Sequence, residues 1–168
     1  MKDNKINRRG FVKKSAALTL GSTFAISAAA KSVFDSKGLP TAFLGKTGIR
    51  IPRIVIGTGS RWLAVQDEEK ALEIINYALD QGLFHLDTAA AYQDKEGGYA
   101  SEERLGKILK TRRKEVFLST KVQVRDPEEA KAVIERSLTR LNTDYVDLLQ
   151  IHNLKSVKEV RDIRKPGG

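Results

Sequence analysis

The sequence has no cysteine, only two histidines and no long apolar run. Without cysteine there is no disulfide, no thiolate nucleophile, no thiolate metal ligand and no cysteine-linked lipid, and the chain suits an oxidising compartment. With His85 and His152 as the only imidazoles, we expect no transition-metal site. The most apolar stretch, residues 15–30, is interrupted by Gly, Ser and Thr and is shorter than the roughly 20 residues of a membrane-spanning helix. We therefore expect no stable membrane span.

The positive charge is concentrated at the N-terminus. Residues 1–30 contribute +5 of the net +9, and the other residues mix both signs, as ordinary solvated surfaces do. The one dense basic run, Lys110–Glu115, falls where a helix should end, and cations there complement the helix dipole. Because no basic patch alternates with aromatic residues, we expect no nucleic-acid partner.

The first thirty residues have the order of an export signal. A basic cluster is followed by the apolar stretch and by small residues at Ala28–Ala30, which fit a cleavage site. The segment resembles a twin-arginine signal in its matching residues, Arg8, Arg9, Phe11, Val12 and Lys13. The resemblance implies export of the folded protein to the periplasm by the twin-arginine machinery. An uncleaved N-terminus that anchors to a membrane is the alternative, and residues 31–40 are predicted to be a polar linker.

The rest of the chain alternates strand and helix patterns. Residues 41–52 predict a hairpin that turns at Gly45–Gly48. Four apolar runs then end about every thirty residues, which is the length of a βα unit. The intervening helices carry start and stop signals: Asp67, Ser101 and Asp126 as N-caps, Pro127 in a first turn and Gly82 as a left-handed cap. The pattern predicts parallel strands with right-handed crossovers.

Four ionisable side chains are expected at one end of this sheet. Three strands end at Asp87, Lys121 and His152, and Tyr92 lies in the loop after the first of these. An ammonium near a phenol stabilises the phenolate and eases proton donation, and a carboxylate holds the ammonium. A neutral imidazole beside the phenol would orient a carbonyl oxygen. These groups together suit the reduction of a carbonyl by hydride.

Longer strings around these residues resemble the aldo-keto reductases. Residues 44–59 resemble the N-terminal hairpin and first strand of that family, residues 84–92 its Asp-Thr-Ala-x-x-Tyr signature, and residues 118–122 and 143–152 its strands with the catalytic Lys and His. The resemblance implies a (β/α)8 TIM-barrel fold of which residues 41–168 hold the first four units. It also implies Tyr92 as general acid, Lys121 as its tuner, Asp87 as the partner of Lys121 and His152 as substrate orienter.

The resemblance further implies NADPH, or NADH, as cofactor and a small aldehyde or ketone as substrate. Gly57, Thr58 and Gly59 would line the nicotinamide end of the site, with Asp87 near the ribose. The phosphate and adenosine contacts of the family lie on strands 7 and 8, which we do not find in this sequence. His85 alternates with Asp87 and is predicted to line the barrel interior without a role.

The half-barrel leaves three interpretations open. The chain is a truncated reductase with little activity alone, or it pairs with a second half-barrel, or it is a remnant that keeps the motifs without turnover. A non-catalytic interaction or regulatory module is the alternative function, since some relatives of aldo-keto reductases are channel subunits.

Overall fold

A computed structural model describes residues 34–93 and 100–165. The predicted signal segment and its cleavage site lie outside these residues. The strands are β1 (Thr41–Phe43), β2 (Arg50–Pro52), β3 (Ile56–Gly57), β4 (His85–Asp87), β5 (Phe117–Val122) and β6 (Leu148–Ile151). The helices are α1 (Ser60–Leu63), α2 (Glu68–Asp80), α3 (Ser101–Arg112), α4 (Pro127–Arg140) and α5 (Val157–Ile163), with a 3-10 turn over Arg113–Glu115.

The main sheet is parallel and has the strand order β3-β4-β5-β6. Each strand pairs with the next one along the chain, so the crossovers carry the chain forward one strand at a time. β1 and β2 form the predicted antiparallel hairpin, and Gly45 and Gly48 have positive φ in its turn. The described residues thus form an α/β sheet consistent with part of a barrel.

The first parallel strand is shorter than its apolar run predicts. Of the apolar run at residues 53–59, only Ile56–Gly57 pair with β4. Ile54 and Val55 are 58% and 41% exposed. Within the described part of the chain this strand lies at the sheet edge, so neighbours cover only one of its sides.

Two of the three predicted N-caps are confirmed. The Asp67 carboxylate accepts from Lys70 N–H at 3.1 Å, and the Asp126 carboxylate accepts from Glu128 and Glu129 N–H. Pro127 follows at the first helical position of α4. The prediction for Ser101 is wrong: Ala100 holds the cap position, and the Ser101 hydroxyl instead donates to Thr58 at 2.8 Å. A tertiary contact has taken the hydroxyl that a local cap would use.

Gly82 ends α2 as predicted. Its φ is +86°, and the N–H groups of Gly82 and Leu83 bond the carbonyls of Leu79 and Ala78 in a Schellman arrangement. A Cβ on Gly82 would lie 2.2 Å from the carbonyl oxygen of Ser36. The position therefore requires glycine both for its backbone conformation and for the close approach of the preceding chain.

The core lies between the sheet and its helices. Ile75, Leu105 and Leu138, one from each long helix, pack with Leu86 and Leu118 of the sheet. Helices α3 and α4 meet closely at Gly106, where a Cβ would come 2.1 Å from the carbonyl oxygen of Arg140. Within the described ranges no helix is long and apolar enough to cross a bilayer.

The amino end of the sheet is closed by aromatic rings. Phe34, four residues into the predicted linker, stacks on Phe84 at 5.0 Å between ring centroids and meets the edge of Phe117 at 6.2 Å. Both partners are buried and directly precede or begin strands β4 and β5. The chain before the hairpin is thereby attached to the end of the sheet opposite the strand-end charges.

Candidate active site

The carboxyl ends of β4 and β5 bring three of the predicted residues together. Asp87 is the last residue of β4, and Lys121 lies two residues beyond the position that pairs with it on β5. The Lys121 ammonium donates to Asp87 Oδ2 at 2.5 Å and to Tyr92 Oη at 3.3 Å. The predicted acid, its cation and the carboxylate that holds the cation are therefore in direct contact.

The Lys121 ammonium uses all three of its N–H donors. Its third partner is the backbone carbonyl of Thr88, at 2.8 Å. The Lys121 side chain is only 13% exposed, so these bonds fix the ammonium beside the phenol. Since Tyr92 accepts a hydrogen bond from Lys121, the hydrogen of its own hydroxyl is available to another acceptor.

The other oxygen of Asp87 is also held. Oδ1 accepts from the Ser119 hydroxyl at 2.9 Å, and Ser119 lies 3.0 Å from Nε2 of His85. His85 is buried against the edge of the Phe117 ring, and burial lowers its pKa below the ordinary value. The interior face of β4 and β5 thus carries one continuous row of polar contacts.

His152 follows β6 and faces the same space. Its ring meets the Tyr92 ring edge to face, with 5.6 Å between centroids. Burial lowers the pKa of His152, the cations of Lys121 and Arg125 lower it further, and the Asp87 carboxylate opposes them. The imidazole is therefore neutral at pH 7 and offers one N–H beside the phenol.

Arg125 holds the backbone around His152. Its guanidinium donates to the carbonyl oxygens of His152 at 2.7 Å and Gln123 at 2.6 Å, and its Nε donates to Glu159 at 2.5 Å. These bonds join the loop after β5, the loop after β6 and helix α5. The position of His152 depends on a residue that the sequence motifs do not include.

The three residues predicted to line the nicotinamide end have different surroundings. Gly57 is exposed, and no heavy atom of the described residues lies within 4 Å of a Cβ built on it. A Cβ on Gly59 would lie 3.5 Å from the Tyr92 ring. Thr58, by contrast, is fully buried, and its hydroxyl donates to the carbonyl of Asp87 at 3.0 Å. Gly57 borders open space and Gly59 lies against the Tyr92 ring, whereas the Thr58 side chain is turned inward and bonds the backbone of β4.

Sequence reasoning did not predict that Ser119, His85 and Arg125 contact the site residues or their neighbours. Ser119 alternates with Lys121, and His85 alternates with Asp87, so the period of two along a strand was an available signal that they share a face. For Arg125 no local signal exists, because the contacts that tie it to His152 and Glu159 lie 27 and 34 residues away along the chain.

The geometry provides a proton donor and an orienting N–H at one open edge. Tyr92 is intermediate in exposure, and the rings of Tyr92 and His152 border the same space. A carbonyl oxygen placed there would accept from both. Across residues 34–93 and 100–165, no group of three or more His, Asp or Glu side chains is placed to hold a metal ion.

Comparison with known proteins identifies the family. Residues 53–164 match the aldo/keto reductase family. Aldo-keto reductase YhdN of Bacillus subtilis is 38% identical over 141 residues, 73% of this chain and 41% of that protein. NADPH-dependent codeinone reductase 1-3 of Papaver somniferum is 35% identical, over 78% of this chain and 42% of that protein. The chain belongs to the aldo/keto reductase family.

Solved structures show the same fold. An aldo-keto reductase from Bacillus halodurans, in its holo form, superimposes with a TM-score of 0.60 at 27% identity, covering 77% of this chain and 47% of that one. An aldo-keto reductase from Klebsiella pneumoniae in complex with NADPH gives 0.57 at 26% identity, covering 69% and 41%. The chain thus spans less than half the length of these relatives.

Proposed function

We propose that the protein is an NADPH-dependent oxidoreductase that reduces an aldehyde or ketone to an alcohol. The observation that carries the proposal is the contact of Tyr92 with the Lys121–Asp87 ion pair, beside the neutral His152. Relatives named as NADPH-dependent reductases support the class of reaction. A glycerol 2-dehydrogenase (NADP(+)) of Saccharomyces cerevisiae, 34% identical over 109 residues, supports the choice of cofactor.

Tyr92 acts as the acid. Its phenol hydrogen passes to the carbonyl oxygen as that oxygen gains electrons, and the Lys121 ammonium stabilises the charge left on the phenol oxygen. Asp87 holds the ammonium in place, and His152 donates its N–H to the same carbonyl oxygen. Each of these roles uses a contact or an orientation already described.

The open edge beside Tyr92 fits a nicotinamide. Gly57 and Gly59 present backbone there, and Gly57 pairs in register with Asp87, so these three residues would hold the nicotinamide end of NADPH. When bound, NADPH supplies the hydride. We assign Gly57, Gly59 and Asp87 to this end of the cofactor. Its phosphates and adenosine would be held by strands 7 and 8 of the family barrel.

Turnover is proposed to require the rest of a barrel. Over the described residues, the outer strands β3 and β6 pair on one side only, and Ile151, Leu154 and Val157 are 40%, 45% and 67% exposed. Either later strands of one chain or a second half-barrel would cover this edge. We therefore propose that the 168 residues alone have little activity.

The reductase assay has two arms. Carbonyl-dependent oxidation of NADPH is followed for the 168-residue chain and for the chain fused to the later strands of the Bacillus subtilis relative. Tyr92→Phe should lower kcat by about 10²-fold or more in whichever form turns over. Unchanged turnover in that variant contradicts the assigned acid.

The alternative function is a non-catalytic interaction module, and the one-sided strand edges favour it. Sedimentation of the purified chain separates the cases: a folded monomer counts against pairing between copies. Binding of NADPH with a dissociation constant in the micromolar range counts against an inert module.

Export is a separate proposal. We propose that residues 1–30 direct the folded protein to the periplasm through the twin-arginine machinery, on the strength of Arg8, Arg9 and Phe11. Fused to a fluorescent reporter that is bright outside the cytoplasm only when exported folded, residues 1–40 should deliver it. The double change Arg8→Lys with Arg9→Lys should retain it in the cytoplasm, and Lys13→Arg serves as the charge-matched control.

A further inference from the structure

The hydrogen bonds that join His85, Ser119 and Asp87 have a donor and an acceptor at each step, and the number of hydrogens on each group determines which is which. The Ser119 hydroxyl has one hydrogen and three polar neighbours: Asp87 Oδ1 at 2.9 Å, the Leu86 carbonyl at 3.4 Å and His85 Nε2 at 3.0 Å. The carboxylate and the carbonyl accept only, so Ser119 gives its hydrogen to the nearer of them, Asp87. His85 Nε2 must then be the donor to Ser119.

This assignment fixes the form of the imidazole. His85 carries its hydrogen on Nε2, while Nδ1 is buried and has no hydrogen-bond partner among the described residues. The charged groups that act on the ring are Asp87 on its own strand, Lys121 on β5 and Asp147 before β6. Burial outweighs the two carboxylates and keeps the ring neutral at pH 7.

The row ends at the proposed acid. Asp87 receives Ser119 on Oδ1 and Lys121 on Oδ2, so its plane is set from both sides. Without the Ser119 bond, the Asp87 carboxylate would be oriented by Lys121 alone, and the ammonium would keep only the Thr88 carbonyl as a fixed acceptor. We propose that His85 and Ser119 are positioning residues that orient Asp87, and through it Lys121, beneath Tyr92. This inference rests on the reductase function proposed above, although the hydrogen-bond order itself does not.

The first test needs no turnover. In the 168-residue chain with isotope-labelled histidine, two-bond nitrogen–carbon NMR correlations distinguish the tautomers. His85 should be neutral with its hydrogen on Nε2 at pH 7, and Ser119→Ala should shift the Nε2 resonance. A hydrogen on Nδ1, a charged ring at pH 7, or no response to Ser119→Ala overturns the proposal.

The second test uses the form of the protein that turns over. His85→Leu and Ser119→Ala should each lower kcat about tenfold while KM for the carbonyl stays near its original value. His85→Gln keeps an N–H donor close to the Nε2 position, and Ser119→Thr keeps the hydroxyl, so both should restore most of the loss. A loss of equal size in His85→Leu and His85→Gln would assign His85 to packing alone and overturn the proposal.

The two proposals fail in different ways. If Tyr92→Phe abolishes turnover and Ser119→Ala does not change it, the reductase function stands and the positioning role is wrong. If turnover is unchanged in Tyr92→Phe while NMR shows the His85 hydrogen on Nε2, the assigned acid is wrong. The hydrogen bonds among His85, Ser119 and Asp87 then have a structural role only. Ser119→Ala removes a single buried oxygen, so it remains informative if His85→Leu does not fold.

Discussion

The two ends of strands β4 and β5 are built for different tasks. At the amino end, the Phe34 ring stacks on Phe84 and meets the edge of Phe117. At the carboxyl end, only a few residues further along the same strands, Asp87 and Lys121 hold a partly exposed phenol. The rings stabilise the fold, and the charged groups, which are costly to bury, are the proposed catalytic residues. Substitutions at the two ends should therefore move different observables.

Phe84→Ala should give the largest effect. The side chain is 2% exposed and stacks on Phe34, so its removal leaves a cavity and should lower the free energy of unfolding by about 3–5 kcal/mol. Thermal or denaturant unfolding measures this. Phe43→Ala, at a ring 58% exposed on the hairpin, is the matched control. Equal losses in both variants would show that the aromatic contacts at the amino end stabilise the fold no more than the exposed ring on the hairpin does.

Lys121→Met should lower activity more than stability, the opposite of Phe84→Ala. It removes the cation that contacts Tyr92, so kcat should fall about a hundredfold while the unfolding free energy changes less than in Phe84→Ala. Steady-state kinetics and thermal unfolding on the same preparation give both numbers. Lys107→Met, which breaks only the surface pair with Glu68, should leave kcat unchanged. Retained activity in Lys121→Met would separate the ion pair from the chemistry.

Arg125→Lys tests how firmly the catalytic end is held. A lysine keeps the charge but cannot reach the His152 carbonyl, the Gln123 carbonyl and Glu159 together. We expect kcat/KM to fall about tenfold, mainly through a higher KM for the carbonyl, because His152 is the proposed orienter of the substrate. Arg161→Lys, on the same helix as Glu159, is the control, and a similar fall there would point to general effects of α5.

Glu102→Gln should have the smallest effect, on the pH dependence of stability. Glu102 is buried between α3 and β5; burial raises the pKa of its carboxyl, opposed by hydrogen bonds from Thr120 and Ser137 and by the Arg140 cation. The folded state therefore binds this proton more tightly than the unfolded state. The stabilising contribution is complete below the unfolded-state pKa and is lost as pH rises through the folded-state pKa.

The neutral amide of the variant has no such loss. The melting temperature of Glu102→Gln relative to the original protein should therefore rise as pH is increased from acid to neutral. Glu103→Gln, at the adjacent and 59% exposed side chain, is the control. A difference in melting temperature that does not change with pH would mean that folding does not raise the pKa of Glu102.

Local rules predicted the parts of the fold that depend on neighbours in sequence. Asp67 and Asp126 cap their helices, and Gly82 ends α2, because each needs only the adjacent turn. Ser101 violated the cap rule because Thr58, 43 residues away, competes for its hydroxyl. The shortening of β3 likewise depends on which strands flank it. Such outcomes depend on tertiary neighbours that periodicity does not specify.

The site was predictable to the same extent. Asp87, Tyr92, Lys121 and His152 were named from motifs, and the structure brings them together. The motif did not reveal that Thr58 would turn inward while Gly57 and Gly59 stay open, since that depends on the packing of α3. The contact of His85 with Ser119 was not predicted, because the sequence alone does not specify the strand register that brings the Ser119 hydroxyl to 3.0 Å from the ring.

The ring of Phe34 has a practical consequence. Its contact with Phe84 holds the chain before the hairpin at the amino end of the sheet, the end opposite Tyr92. An affinity tag or reporter attached directly before Phe34 would therefore join the chain at the end of the sheet opposite Tyr92. If a peptidase cut after Ala30, the new terminus would lie three residues before Phe34, so Phe34 and its ring contacts would stay in the chain.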